Sequence, residues 1–267
     1  MPEGDTIYRT AATLRRALAD AEVTAVETTV PQVRQLGPSR LVGQRVASVK
    51  PRGKHLLCWF APSDLALHTH MMMSGSWHLY RPDQRWQKPR RMAKLVLSVP
   101  GWKAVCFSAP VVELLSRSQV EQHRSLATLG PDALDPDADL AEARRRLDQR
   151  EDIPVGDALL DQQVLAGVGN VYRCEVLFLH GVDPAAPVGR LPGATRDDLL
   201  STAVRLLTSN VDGDAVVRST TDGRVPGQRL HVYGRAGRAC PRCGAAIRAA
   251  RQGAHARLIY WCPSCQE

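Results

Sequence analysis

No apolar run in this 267-residue chain approaches the roughly 20 residues that a membrane-spanning helix needs. No signal-peptide pattern opens it, and neither an internal repeat nor a low-complexity tract interrupts it, which excludes a repeat array. Lysine is scarce: five against thirty arginines, all five between Lys50 and Lys103. Codon usage also produces such a bias, so arginine number says little about phosphate contacts. A lysine in such a chain instead marks a place where an amine rather than a guanidinium is wanted. The seven cysteines are an odd set without secretory context, which points to a reducing cytoplasm.

What is present is a soluble globular composition, 44% hydrophobic and 23% charged. The length suits about two domains with real cores. A formal charge of +8 and a pI near 9.4 suggest a polyanionic partner, nucleic acid first.

The chain opens Met1-Pro2-Glu3-Gly4-Asp5. Methionine removal requires a small second residue, and proline qualifies, so processing leaves Pro2 with a free secondary amine. That amine can attack an aldehyde-like carbon and give an iminium, cationic without a proton and an electron sink. Glu3 beside it can give or take a proton. Pro-Glu also suits a plain helix start. Ile7, Ala11, Leu14 and Leu18 recur at helical spacing, so Asp5–Ala19 reads as an amphipathic helix. Its positive dipole end, toward Pro2, disfavours the protonated amine.

At the far end, Cys240-Pro-Arg-Cys243 and Cys262-Pro-Ser-Cys265 form two Cys-x2-Cys knuckles. Four thiolates at this spacing suit one tetrahedral Zn2+ with a short hairpin between the knuckles. Four protein ligands leave no open position, so the zinc is structural.

Between the ends, Glu22–Val30, Arg45–Val49, His55–Phe60, Leu65–Thr69, Ser76–Leu79, Lys94–Val99 and Ala104–Phe107 read as short strands of a β-sandwich. Helical patterns follow at Ser118–His123, Asp139–Gln149, Pro154–Gln163, Asn170–His180 and Thr195–Ser209, with a loop over Asp212–Gly227. The turn Gly167-Val168-Gly169-Asn170 opens a helix whose free N–H groups and Asn170 side chain offer a phosphate site. An ordinary hairpin with Asn170 as N-cap is the alternative.

Four separated motifs resemble the formamidopyrimidine-DNA glycosylase/endonuclease VIII family of base-excision repair enzymes over essentially the whole chain. They are Met1-Pro2-Glu3-Gly4, Arg52-Gly53-Lys54-His55-Leu56-Leu57, Leu160-Asp161-Gln162 through Leu165-Ala166-Gly167-Val168-Gly169-Asn170-Val171-Tyr172, and Arg257 through Tyr260-Trp261-Cys262-Pro263-Ser264-Cys265-Gln266. The resemblance implies an α+β fold: an N-terminal β-sandwich with a long N-terminal helix, then a helix–two-turn–helix domain with a zinc-finger β-hairpin. The expected divisions are a catalytic domain over 1–115, a linker over 116–134, the helix–two-turn–helix domain over 135–230 and the zinc finger over 231–267.

It further implies a bifunctional DNA glycosylase/AP lyase. Pro2 attacks C1′ of a damaged nucleotide, Glu3 and Lys54 assist proton transfers, and β,δ-elimination cuts the backbone. Asn170 and Arg257 grip the phosphates beside the flipped nucleotide, Arg257 counting among the catalytic as well as the DNA-binding residues. Met73, in His70-Met71-Met72-Met73-Ser74-Gly75, aligns with the wedge that fills the vacated space, although three methionines also make core filler. The partner is damaged DNA, the chain a monomer, and no membrane is involved.

Val111–Leu115 and the short interval Asp212–Leu230 point to the endonuclease VIII branch and oxidised pyrimidines. Met73-Ser74-Gly75-Ser76 reads more like the branch that removes 8-oxoguanine and formamidopyrimidines. Asp5-Thr6 replaces the family's usual Pro-Glu, removing a glutamate. A non-catalytic damaged-DNA-binding zinc protein is the competing class, and an unrelated zinc-ribbon interaction protein a third.

Overall fold

Alternating apolar residues in short segments build two antiparallel four-stranded sheets in the first half of the chain. The computed structural model describes residues 2–211, 217–223 and 227–267, which fall into two units, Met1–Thr128 and Leu129–Glu267. In the first, helix α1 (Gly4–Leu18) precedes strands β1 (Ala25–Thr28), β2 (Arg45–Arg52), β3 (His55–Ala61), β4 (Leu65–His70), β5 (Ser76–Tyr80), β6 (Ala93–Val99), β7 (Trp102–Phe107) and β8 (Val111–Ser116). A short helix, α2 (Pro31–Gln35), follows β1, and α3 (Arg117–Gln122) and α4 (Arg124–Ala127) close the unit. The strand orders are β1-β6-β7-β5 and β2-β3-β4-β8.

The expected apolar stripe of α1, Ile7, Ala11, Leu14 and Leu18, is fully buried and shares a core with Val46, Val49, Leu56, Cys58, Phe60, Leu67, Leu95 and Leu97. In β3 and β4 these core residues alternate with an opposite face, which carries His55, Leu57, His68 and His70. Strand β8, absent from the periodicity reading, pairs with β4 over its full length. The β1 segment is shorter than expected, four residues of strand.

The second unit contains α5 (Leu140–Asp148), α6 (Val155–Ala158), α7 (Asn170–Leu179), α8 (Gly193–Ser209) and a hairpin of β9 (Arg248–Gln252) and β10 (Arg257–Trp261). The helix expected over Pro154–Gln163 stops after four residues. Side chains there compete for the backbone. Asp161 Oδ1 accepts from Gln163 N, and Gln162 Nε2 donates to the carbonyls of Leu160 and Val168 while its Oε1 accepts from Gly167 N. Those bonds make the two turns, and Gly167 at φ +103° supplies a backbone angle that L residues rarely adopt. Met1 and residues 212–216 and 224–226, the latter within the expected Asp212–Gly227 loop, lie outside the described residues. So does the Met1 cleavage expected from the sequence. No helix among the described residues is long and apolar enough to cross a membrane.

Candidate active site

Glu3 is the N-cap of α1: Ile7 N donates to its carbonyl at 3.1 Å, and its side chain is buried. Pro2 therefore sits just off the helix's positive end. Asp5 is also buried, and its carboxylate accepts from Arg9 at 3.0 Å one helical turn on. Lys54 occupies the two-residue turn between β2 and β3, which Gly53 enters at φ +55°.

The packing of α1 on β2 brings these groups to one end of the unit. Arg15 donates to Val49 O, and Asp20 N to Val46 O, so the helix read backwards and the strand read forwards run the same way. From Arg15 to Glu3 the helix covers about 18 Å at ~1.5 Å per residue. From Val49 to Arg52 the strand covers about 10 Å at ~3.3 Å per residue, and Lys54 lies in the turn just beyond. Burial pushes the Cys58 and Cys106 thiols up to about 12, so neither supplies a thiolate at neutral pH.

The three methionines divide by role. Met71 is 2% exposed and belongs to the core, whereas Met72 and Met73 stand 49% and 68% exposed. Gly75 N closes the turn on Met71 O at 2.8 Å, and a Cβ at Gly75 would meet the Met71 and Ala109 backbones at under 3 Å. Core filling thus describes Met71 alone.

In the second unit Asn170 is the first residue of α7, and its cap is Gly169, so the N-cap alternative does not hold. Its amide Nδ2 donates to Leu258 O at 2.7 Å, next to Arg257 on β10. Buried Arg173 donates to the carbonyls of Arg257 and Leu258 and to Gly156 O. The structure therefore brings the Asn170 and Arg257 motifs together, although 86 residues of sequence lie between them. Glu175, buried on the same helix, accepts from the backbone N–H groups of His231, Val232 and Tyr233, which fixes the chain entering the finger. Burial pushes its carboxyl up, but the His231 side chain, the Thr220 hydroxyl and the backbone N–H groups of His231 and Tyr233 hold it below its usual range.

Cys240, Cys243, Cys262 and Cys265 place their sulfurs within 4.8 Å of one another, with Cys240–Cys265 at 3.9 Å and Cys243–Cys262 at 3.4 Å. Tetrahedral zinc with Zn–S bonds near 2.3 Å requires sulfurs about 3.8 Å apart, so the donor set fits.

One cluster escaped the sequence reading. His55 Nδ1 lies 2.8 Å from His68 Nε2, His68 Nδ1 lies 2.8 Å from Glu113 Oε2, and His123 Nε2 reaches the same oxygen at 3.2 Å. His70 is directly opposite His55, with ring centroids 4.5 Å apart. Burial first, then the other imidazoles and the Lys54 ammonium, push His55 down to about 2; burial, His68 and Lys54 push His70 to about 4. Burial also lowers His68, against the opposing pull of Glu113. The signal was the His-x-His spacing on one strand face beside a strand that starts at His55.

Family models for the formamidopyrimidine-DNA glycosylase N-terminal domain and H2TH domain match residues 1–110 and 129–221. The "Probable endonuclease 8 2" of Streptomyces coelicolor is 43% identical over 271 residues, covering 100% of this chain and 94% of that one. The chain belongs to the formamidopyrimidine-DNA glycosylase/endonuclease VIII family. The "DNA-(apurinic or apyrimidinic site) lyase Nei2" of Mycolicibacterium smegmatis is 38% identical over 100% of this chain and 99% of its own. "Endonuclease 8" of Escherichia coli is 33% identical over the full length of both. These relatives place the chain near the endonuclease VIII members. Among solved structures, Lactococcus lactis formamidopyrimidine-DNA glycosylase with DNA containing an oxidised pyrimidine matches at TM-score 0.83 and 25% identity, with full coverage of both chains. The same enzyme on abasic-site DNA matches at 0.82 and 24%, covering 99% of each.

Proposed function

We propose that this chain is an endonuclease VIII-like DNA glycosylase/AP lyase that removes oxidised pyrimidines from DNA, with Pro2 as nucleophile. The observation that carries this reading is the arrival of Pro2, Glu3 and Lys54 at one end of the first unit. Full-length similarity to relatives named endonuclease 8 and AP lyase supports the class.

In the chemistry proposed, the Pro2 nitrogen bonds to C1′ while the bond from C1′ to the base breaks; the resulting ammonium gives up its N–H proton, and the departing base nitrogen takes a proton up. The nitrogen lone pair then closes the iminium as the sugar ring opens, its oxygen leaving as a hydroxyl with a proton supplied by Glu3 or Lys54. Loss of a C2′ proton expels the 3′-phosphate, and a second elimination expels the 5′-phosphate. Glu3 and Lys54 carry the protons. Asn170 and Arg257, joined at Leu258, hold backbone phosphates. A zinc ion on the four cysteines supplies no chemistry; it fixes the β9–β10 hairpin that carries Arg257.

Borohydride trapping on an abasic-site duplex tests the class, because only an iminium-forming enzyme becomes covalently attached. Single-turnover excision should then run faster on thymine glycol than on 8-oxoguanine. The reverse order would assign the chain to the purine-directed activity.

Exposed Met73 at the tip of a tight turn is the proposed wedge, since flipping a nucleotide costs a few kcal/mol of stacking and pairing. Met73→Ala should impair excision from intact duplexes and have little effect in single strands or bubbles. Equal losses on both substrates would remove the wedge role.

A further inference from the structure

Three donor side chains from three separate elements meet on the face of sheet β2-β3-β4-β8 that turns away from the core. Strand β4 supplies His68, β8 supplies Glu113 directly opposite it, and the junction of α3 and α4 supplies His123. His68 Nδ1 and His123 Nε2 both approach the same carboxylate oxygen, Glu113 Oε2, at 2.8 and 3.2 Å. The three residues offer donor atoms that all lie within 4.8 Å of one another. The chemistry proposed above uses none of them.

Two imidazoles and one carboxylate are the donor set of open transition-metal sites. With bonds near 2.1 Å, two donors stand about 3.0 Å apart at a right angle and about 3.4 Å apart at the tetrahedral angle. The two separations to Glu113 already lie on this scale. Among the described residues no lysine or arginine forms an ion pair with Glu113, so no side-chain cation takes the place of an ion. The His68 side chain is 1% exposed and anchors the group, whereas those of Glu113 and His123 are 36% and 21% exposed. That leaves a way in for an ion and room for water on its remaining positions.

A metal-bound imidazole also needs an outer partner: it carries its proton on the far nitrogen and donates it to a fixed acceptor, which holds the ring in place. His68 Nε2 stands 2.8 Å from His55 Nδ1, and both residues are buried. With an ion on His68 Nδ1, the His68 proton sits on Nε2, His55 Nδ1 accepts it, and His55 keeps its own proton on Nε2. We propose that His68, Glu113 and His123 form a second metal site, separate from the four cysteines, for a divalent first-row transition ion such as Zn2+. The ion fastens the α3–α4 junction to β4 and β8. The site does not depend on the Pro2 chemistry, so its failure leaves the glycosylase reading untouched.

Zn2+ titrated by calorimetry into the full-length protein, with its cysteine site already loaded, tests the assignment. Elemental analysis after dialysis should find one zinc ion more per wild-type chain than in His123→Ala or Glu113→Gln. Glu113→Gln is nearly isosteric and keeps an amide oxygen for one imidazole, so it separates loss of the site from loss of the fold. His55→Leu removes the outer acceptor and should weaken binding by about 10- to 100-fold. Long-range 1H–15N spectra of the wild type should show the His68 proton on Nδ1, facing Glu113, before the second ion binds and on Nε2 afterwards.

A wild-type chain that takes up no zinc beyond its cysteine site overturns the proposal, whether or not any variant folds, and leaves the three side chains as a hydrogen-bonded group. A second ion that survives in folded His123→Ala and Glu113→Gln overturns it as well, because the ion is then held elsewhere. So does an ion whose arrival leaves the His68 proton on Nδ1. Borohydride trapping, run on the same preparations, tests the glycosylase reading by itself.

Discussion

Extending the chain by even one residue ahead of Pro2 should reduce borohydride trapping on abasic DNA to background. The extension turns a secondary amine into a tertiary amide whose lone pair is delocalised into the carbonyl, so no nucleophile remains. Intact mass of the untagged protein should show the loss of Met1. Pro2→Gly retains an amine, but a primary one whose imine must be protonated before it withdraws electrons; trapping and strand cleavage should both fall steeply. Glu3 stays at the head of α1 in each case, so the fold is expected to survive. A tagged protein that nicks abasic DNA at the native rate would mean that another amine forms the adduct, with Lys54 the first to examine.

The second large effect is expected at Lys54. Lys54→Ala should slow base removal by roughly 10²–10⁴, the range for a positioned acid–base group. Trapping at a preformed abasic site should persist, because Pro2 is intact. Arg257→Ala should leave a different signature. A phosphate contact adds to affinity through counterion release, so its loss lowers the salt slope by about 0.9 on duplex DNA. Asn170 is neutral, and Asn170→Ala should weaken binding with little change in slope. The comparison needs single-turnover excision beside binding to an abasic-site analogue at several salt concentrations. If Lys54→Ala excises normally while Arg257→Ala binds normally, both assignments fail.

The residues that carry these predictions were legible for local reasons. The apolar stripe of α1 has helical period, and the fold buries each of its four members. The two Cys-x2-Cys knuckles are tight turns, so their spacing alone limits where four sulfurs can meet. Lys54 stood out as one of five lysines in an arginine-rich chain. The helix read over Pro154–Gln163 failed for an equally local reason that periodicity does not register: Asp161 and Gln162 bond to the backbone in place of a continuing helix.

Met71, Met72 and Met73 show where the sequence stops. They are identical in type and consecutive, yet one anchors the core and two stand in solvent, because Gly75 lets the turn close against Ala109. The sequence by itself determined the order of the motifs, the helix behind Pro2 and the cysteine knuckles, since each depends on neighbours a few residues apart. Only the tertiary structure decided that Asn170 reaches the strand of Arg257 and that His55, His68 and Glu113 form one hydrogen-bonded row. The first contact depends on how the hairpin packs on α7. The second depends on the register of three strands, and a slip of one residue would send those side chains to the opposite face.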